Sequence, residues 1–453
     1  MKKLMAEIMV LMMVVSFAVV TPAFADENEV VALKNQINDL NNKLDQLERK
    51  LTSVEGRVSA APAQVIPAAS ATGGGLARTA QDIHLGGYID TQWNNNFSNQ
   101  TGNIGGNPLR SFDAHQNTFS VNQFDLNLQK TPNPEGGAGF NAEILAGEDA
   151  ATVEGATLGT GANTTVAANP TAARAGAFGE QRFSLLQAYV EFVAPLKFLE
   201  GNEFFGHTVD IKAGRYVTLA GAEVINSTGN WNISRSFLFG LAIPFTHTGI
   251  RATYKLWKDK ITTYWGINNG WDSVIDNNRW KTMEMGFSYS PIESISTNSV
   301  IYFGPENATQ SGHKRFLWSS TIGWNATDKL SFNSEIDLGN ERRVVGTTGA
   351  TTFDNTHWWG LAGYARYKLT DKWGAVYRME LFRDPQAYRT GGFTGASTAN
   401  ETLWEMTYGT DYKFYDNLTG RLEYRLDKSN ARTAFNSESS QSTVGAQLIY
   451  NFA

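Results

Sequence analysis

From residue 250 onward, the chain repeats one pattern: two runs in which apolar and polar residues alternate, joined by a short turn centred on an acidic residue. The turn-bearing segments are YKLWKDKI from Tyr254, YSPIESI from Tyr289, WNATDKL from Trp324, YKLTDKW from Tyr367 and YKFYDNL from Tyr412. Their first residues are 35, 35, 43 and 45 positions apart, which leaves room for two strands of about ten residues, one turn and one long loop. Hairpins with tight turns at one rim and long loops at the other are typical of an outer-membrane β-barrel.

The alternating runs divide into an apolar face and a charged face. In the run that begins at Leu418, Leu422 and Tyr424 share one face, whereas Arg421 and Glu423 share the other. A soluble β-sandwich has the same period of two, so the alternation alone leaves both folds open. Tryptophans at or near strand ends favour the barrel, because aromatic girdles lie at the two membrane interfaces. These are Trp257, Trp265, Trp271, Trp280, Trp318, Trp324, Trp358, Trp359, Trp373 and Trp404.

About sixteen such runs follow residue 81, with fourteen and eighteen as alternative counts. The eleventh and twelfth runs cover residues 329–339 and 357–369, and the last covers 440–452. The last run ends on the aromatic Phe452, which resembles the signal that the barrel-assembly machinery reads. We predict an all-β transmembrane barrel of about 16 antiparallel strands over residues 81–453, preceded by an N-terminal α-helical coiled coil.

The first residues have the three parts of a secretory signal peptide. Lys2 and Lys3 precede an apolar stretch from Ile8 to Val20, and Ala23 and Ala25 form a small-residue cleavage site. The apolar stretch is too short to span a bilayer as a helix. We predict a signal peptide over residues 1–25 and export from the cytoplasm.

Residues 26–58 carry an unbroken heptad pattern that predicts a parallel coiled-coil homo-oligomer in the periplasm. Lys43 and Glu48, like Lys50 and Glu55, stand at g and e positions, where opposite charges pair between helices. A single helix, solvated or packed on the barrel, is the alternative. Residues 59–80 are rich in Ala, Pro, Ser and Gly and predict a flexible linker. The predicted oligomerisation positions are Val30, Leu33, Ile37, Leu40, Leu44, Leu47, Leu51, Val54 and Val58.

Composition argues against several functional classes. The chain has no cysteine, so it has neither disulfides nor thiolate chemistry, and its net charge of −6 argues against nucleic acid as a partner. Its six histidines show no metal-ligand spacing and no nucleophile motif, so we predict no catalytic residue, no metal ion and no cofactor. Asp272, Asp276 and Asn278 are spaced for a calcium ion in an outer loop, but a solvated acidic loop explains them more simply.

Two segments carry a resemblance to a known family. NWNISRSFLFG, from Asn230 to Gly240, and IPFTHTG, from Ile243 to Gly249, resemble the outer-membrane β-barrel porins of the OmpL-like group. The resemblance extends over roughly Gln81 to Ala453. It implies a barrel that passes small hydrophilic solutes, and this family often has a coiled-coil stretch after the signal peptide.

The loop from Leu219 to Phe245 joins the predicted fifth and sixth strands. In sixteen-stranded porins the corresponding third long loop commonly folds inward, so the resemblance implies a pore constriction here. In that case Glu223 and Arg235 project into the constriction. The alternative is that the aromatic residues only pack the loop against the wall or a subunit contact, with the charges solvated. The predicted constriction residues are Glu223, Asn230, Trp231 and Arg235.

The polar faces of the strands are the predicted pore lining, and they carry eight basic and eight acidic residues. A basic ladder that faces an acidic loop would set a transverse field, but the equal numbers indicate no net ion selectivity. Solvated wall charges balanced by their neighbours are the simpler interpretation of any single residue. The basic residues are Arg251, Lys255, Arg366, Lys368, Arg378, Lys413, Arg421 and Arg425. The acidic residues are Glu284, Glu335, Asp337, Glu380, Glu405, Asp411, Glu423 and Asp427.

The sequence thus predicts a porin for passive diffusion of small hydrophilic solutes or ions. One alternative is a channel selective for oligosaccharide or phosphate, and Trp358, Tyr364 and Phe382 on polar strand faces are candidates for a sugar slide. Another alternative is a structural tether. The predicted location is the outer membrane of a Gram-negative bacterium. Predicted partners are outer-membrane lipid and lipopolysaccharide, the barrel-assembly machinery through the C-terminal strand, copies of the same chain in a homotrimer, and peptidoglycan or a periplasmic protein through the coiled coil.

Overall fold

The computed structural model describes the barrel and most of its connections. The described residues are 83–98, 106–157, 183–199, 202, 204–257, 259–307, 312–345, 352–390, 401–430, 434–435 and 438–452. The predicted signal peptide, coiled coil and linker lie outside these residues. Among the described residues, no helix has the length and apolar character needed to cross a membrane.

Sixteen strands form one closed barrel in which each strand pairs antiparallel with its neighbours in the sequence, and β1 pairs with β16. This confirms the count of sixteen. The first eight strands are β1 His84–Asn96, β2 Thr118–Lys130, β3 Gly137–Ala146, β4 Phe183–Pro195, β5 Phe205–Val217, β6 Thr246–Leu256, β7 Ile261–Asn268 and β8 Thr282–Ile292. The others are β9 Ile295–Gly304, β10 Arg315–Asn325, β11 Leu330–Val345, β12 Thr352–Lys368, β13 Trp373–Asp384, β14 Glu401–Tyr415, β15 Leu418–Ser429 and β16 Ser440–Phe452.

The two strand faces have the predicted directions. Leu422 and Tyr408 are more than half exposed on the outside, whereas Glu423 and Arg425 on β15 are buried inside. Outward apolar side chains suit a surrounding hydrocarbon layer, and inward charges avoid it. The barrel wall therefore follows directly from the period of two in the sequence.

Loops at the two rims differ in length as the sequence predicted, with one exception: L6, at 6 residues, is shorter than the 9-residue connection between β4 and β5. Seven connections are short, from the 2 residues between β8 and β9 to the 9 residues between β4 and β5. At the other rim, eight long-loop positions, L1 to L8, alternate with them. L1 is 97–117, L2 147–182, L3 218–245, L4 269–281, L5 305–314, L6 346–351, L7 385–400 and L8 430–439. Short turns mark the periplasmic rim of such barrels.

Three departures from the sequence predictions are informative. The hairpin of β11 and β12 extends to Val345 and Thr352, beyond the predicted limits of 339 and 357. L2 begins with an unpredicted helix, α1 (Glu148–Thr157), whose acidic first turn suits the positive end of the helix dipole. Trp271 and Trp358 do not lie in an interfacial girdle; they are buried and pack edge to face, with ring centroids 6.3 Å apart.

Candidate functional site

L3 lies inside the barrel and contacts wall residues on several sides. Near its start lies Gly221, whose φ of +89° is a conformation that glycine adopts readily. The Gly221 amide donates to Ser319 Oγ on β10 at 3.1 Å, and the Ala222 amide donates to Glu335 on β11 at 2.9 Å. Across the barrel, Ser227 Oγ donates to Asp90 on β1 at 2.6 Å. L3 therefore crosses the lumen from β10 and β11 to β1.

Two carboxylates on the far wall bind the L3 backbone. Glu423 on β15 accepts hydrogen bonds from the amides of Ile233 and Ser234 at 2.8 and 3.0 Å. Glu380 on β13 accepts from the amide of Leu238 at 3.1 Å. Backbone amides in a loop have no strand partner, so a buried charged acceptor satisfies them strongly.

Arg378 on β13 joins L3 to the wall electrostatically. Its guanidinium lies 2.6 Å from Glu223 of L3 and 2.5 Å from Glu405 of β14, and it donates to the Ser234 carbonyl at 2.7 Å. All three charged side chains are buried. Each buried charge has both an opposite charge and a hydrogen-bond partner, which offsets the cost of removing it from water.

Arg425 on β15, two strands beyond β13, makes a second such junction. It lies 2.6 Å from Asp427 and 3.1 Å from Glu405, and its Nη1 donates to the Arg235 carbonyl at 2.5 Å. Its guanidinium also stacks over the ring of Phe237, 4.7 Å from the centroid.

The predicted constriction residues lie in L3, but their side chains serve mainly to shape the loop. Arg235 donates to the carbonyls of Val224, Ile225 and Ile233 at 2.9, 2.7 and 2.9 Å. Asn230 donates to the Val224 carbonyl at 2.8 Å. Glu223 and Arg235 are buried, so neither presents a free charge to open water.

Apolar residues of L3 form the centre of a core inside the barrel. Its π-helical turn, Leu238–Ala242, is completely buried and packs with residues of L1, α1, L4 and L7. Trp358 fits because its partner in the ladder is Gly339, where a Cβ would lie 2.0 Å from the indole. Trp358, Tyr364 and Phe382 belong to this core, so they offer no free surface for a sugar slide.

The sixteen predicted lining residues separate into two groups. Ten are buried, so the expectation that they face a water-filled pore is not met; they contact loops or neighbouring wall side chains instead. These are Arg251, Glu284, Glu335, Asp337, Arg378, Glu380, Glu405, Glu423, Arg425 and Asp427. The other six keep solvent exposure on the short-turn half of the barrel. They are Lys255, Arg366, Lys368, Asp411, Lys413 and Arg421.

Several wall and loop contacts were not predicted from the sequence. Gln123 on β2 donates to the Ile225 carbonyl of L3 at 2.8 Å. Arg110 of L1 lies 2.7 Å from Asp427 and 2.5 Å from Asp113. Gln123 was detectable as a polar residue on an alternating run, but the partner of Arg110 depends on how L1 folds.

Buried acidic residues in L4 and L5 bind backbone amides at the long-loop end of the barrel. Asp272 in L4 accepts from the amides of Phe245 and Thr246, both at 2.8 Å, and its burial raises its pKa. Glu306 in L5 accepts from the Trp271 amide at 2.7 Å, and burial raises its pKa to about 7. Asp272 thus binds the end of L3 through Oδ1.

Comparison with known proteins gives one family and several similar folds. Residues 82–452 match a family model described as "Putative beta-barrel porin-2, OmpL-like". No curated protein matches the chain.

Three solved structures illustrate the similarity in fold. The outer membrane channel DcaP of Acinetobacter baumannii has a TM-score of 0.51 at 12% identity, over 82% of this chain and 97% of that chain. An anion-selective porin from Comamonas acidovorans has a TM-score of 0.52 at 10% identity, over 82% and 99%. Salmonella typhi OmpF in complex with daunomycin has a TM-score of 0.50 at 11% identity, over 82% and 97%.

Proposed function

Since the chain belongs to the OmpL-like family of β-barrel porins and is an outer-membrane channel, we propose that it passes small hydrophilic solutes by passive diffusion through a lumen narrowed by L3. The observation that carries this proposal is the path of L3 across the barrel interior. Hydrogen bonds to Ser319 on one wall and to Asp90 on another support a constriction near mid-barrel. Solutes would have to pass beside L3 or displace part of it, which favours small ones.

The same proposal includes the parts of the chain that precede the barrel. We propose that residues 1–25 are a cleaved signal peptide and that residues 26–58 form a periplasmic coiled coil joined through the linker at 59–80. The heptad positions support a homo-oligomer, and we propose a trimer in the outer membrane. Family and fold point to a channel rather than an enzyme.

Reconstitution of the purified chain into planar bilayers tests this function. Passive diffusion predicts stepwise conductance that rises in proportion to bulk salt. Block by a single solute at low concentration would instead indicate a selective channel. Insertion without any conductance would overturn the porin proposal and favour a tether.

Shortening L3 tests its part in the proposal. Deletion of residues 222–235 removes Glu223 and Arg235 and exposes Arg378 to water in a wider lumen. We expect a higher single-channel conductance than in the intact chain. A folded deletion variant with unaltered conductance would contradict the constriction.

A further inference from the structure

A cavity of about 410 Å³ opens at the short-turn end of the barrel, directly beside L3. Trp231 of L3 forms part of its lining, and the other lining residues lie on or between β10 and β15. The cavity is large enough for a small solute and its first hydration waters.

The cavity lining has an excess of positive charge. It contains three acidic residues, Asp328, Asp371 and Asp411, and twice as many cationic ones. The cations are Lys329, Arg366, Lys368, Lys372, Lys413 and Arg421.

Ion pairing leaves much of this positive charge available. Arg366 binds Asp411 through Nη2 at 3.0 Å, Lys368 lies 2.9 Å from Asp371, and Lys413 lies 2.8 Å from Asp416. Three of the six cations are therefore paired. Arg421 instead donates to two neutral acceptors, the Ser227 carbonyl at 3.1 Å and Gln447 Oε1 at 3.0 Å. Its charge is balanced only in part, by the more distant Asp90 and Asp411, and so still attracts an anion.

The opposite wall at this end carries more acidic than basic residues. Glu191 on β4 and Asp210 on β5 lie there with Lys212, whose Nζ is 3.3 Å from Glu191. Acidic and basic walls that face each other across a lumen would direct an anion toward the basic side.

We propose that this cavity is a binding site for small multivalent oxyanions of the phosphate class. Arg421 and the lysines supply the charge, while strand-borne Arg366 and Lys413 hold fixed positions on β12 and β14. A bound anion lies next to L3, at the point where a solute crossing the barrel meets the periplasmic half. As a step in transport the site rests on the proposed function, but binding itself does not require conduction.

Calorimetric titration of inorganic phosphate into the detergent-solubilised full chain tests the site. The double variant Lys329→Gln/Lys372→Gln removes two exposed cations from the cavity without touching L3. We expect its phosphate affinity to fall roughly tenfold, equivalent to about 1.4 kcal/mol. Raising the salt concentration should weaken binding to the unmodified chain as well.

The matched control is Lys197→Gln/Lys260→Gln. These two lysines are exposed in short turns at the same rim but lie outside the cavity lining. The control removes the same net charge, and we expect its affinity to stay within about twofold of the unmodified chain. Equal losses in the two double variants would overturn the site, because general attraction by the rim would then explain binding.

Two further measurements separate the remaining outcomes. Phosphatidylglycerol added to the micelles should leave phosphate binding unchanged; competition by the lipid would assign the cavity to a headgroup and overturn the solute site. Conductance without phosphate binding would overturn the site and leave the porin function standing. Specific phosphate binding by a chain that inserts but does not conduct would retain the site and overturn the porin function.

Discussion

At the scale of single residues, buried charged side chains join L3 to the barrel wall. Arg378 is completely buried, with Glu223 of L3 on one side and Glu405 of β14 on the other. Loss of one member of such a pair leaves a buried charge without compensation, which costs more than the intact pair contributes.

We expect Arg378→Gln to lower the free energy of unfolding by about 3–5 kcal/mol, because Glu223 and Glu405 would lose their common partner. Urea titration in detergent, followed by tryptophan fluorescence, measures the change. The exposed Arg342 serves as control, and Arg342→Gln should change stability by less than about 0.5 kcal/mol. A change as small for Arg378→Gln would contradict its role in holding L3.

Glu306 predicts a specific dependence of stability on pH. Its ordinary pKa is 4.5, and burial raises the folded value to about 7. Below pH 4.5 the carboxyl is protonated in both states, and as pH rises toward 7 only the unfolded chain loses its proton. The free energy of unfolding should therefore fall across this interval, by about 3 kcal/mol from this group.

The variant Glu306→Gln isolates that contribution, since other groups also titrate. Its amide retains an acceptor for the Trp271 amide and a donor for the Thr282 hydroxyl. We expect it to match the unmodified chain near pH 4 and to be more stable near pH 8 in the same urea titration. Parallel pH curves would show that Glu306 is not protonated in the folded state.

The sequence predicted on which side of the barrel wall most strand side chains lie, but not how far they are exposed to solvent. Arg378 and Glu405 were placed inside correctly, because the strand period of two assigns a face to every residue. Their burial depends on L3 packing against them, and a loop without periodicity gives no signal for its path. The same reason applies to Glu223 and Arg235, which were expected to present free charges to the pore. Both are buried and hydrogen-bond to the backbone of L3.

At the scale of elements, regular strands and an irregular loop have different sources of stability. The strands satisfy their backbone groups in the barrel ladder, whereas L3 depends on wall carboxylates such as Glu423 and Glu380. The limits of β11 and β12 were underestimated because Asn340 and Glu341 end the apolar alternation, although their backbone pairing with His357 and Thr356 continues. Beyond the hydrocarbon layer, pairing no longer requires an apolar outer face.

We expect Glu423→Gln to loosen L3 and to increase rapid fluctuations of single-channel current. An uncharged amide accepts the Ile233 and Ser234 amides more weakly, and its NH2 group faces one of these donors. Current noise in planar bilayers is the measurement. The control is Glu293→Gln, at an exposed position in a short turn. If Glu423→Gln gave no more current noise than this control, the Glu423 carboxylate would not be what holds L3 in place.

At the scale of the whole molecule, the barrel and the preceding heptads are proposed to have separate tasks. Barrel closure through β1 and β16 makes the wall complete without residues 26–58. We therefore expect deletion of residues 30–58 to leave a conducting barrel with a reduced oligomeric mass. Light scattering of the purified protein measures that mass, and an unchanged value would remove the proposed role of the heptads in assembly.

The seam between β1 and β16 also has a consequence for biogenesis. Gln447 donates to Asp90 across this seam, between residues 357 positions apart in the chain. Until β16 arrives, β1 has an unpaired edge with open backbone groups, and such edges invite aggregation. Pairing of β1 with β16 therefore removes the last open edge, and we expect the two ends to need protection from other chains until they meet.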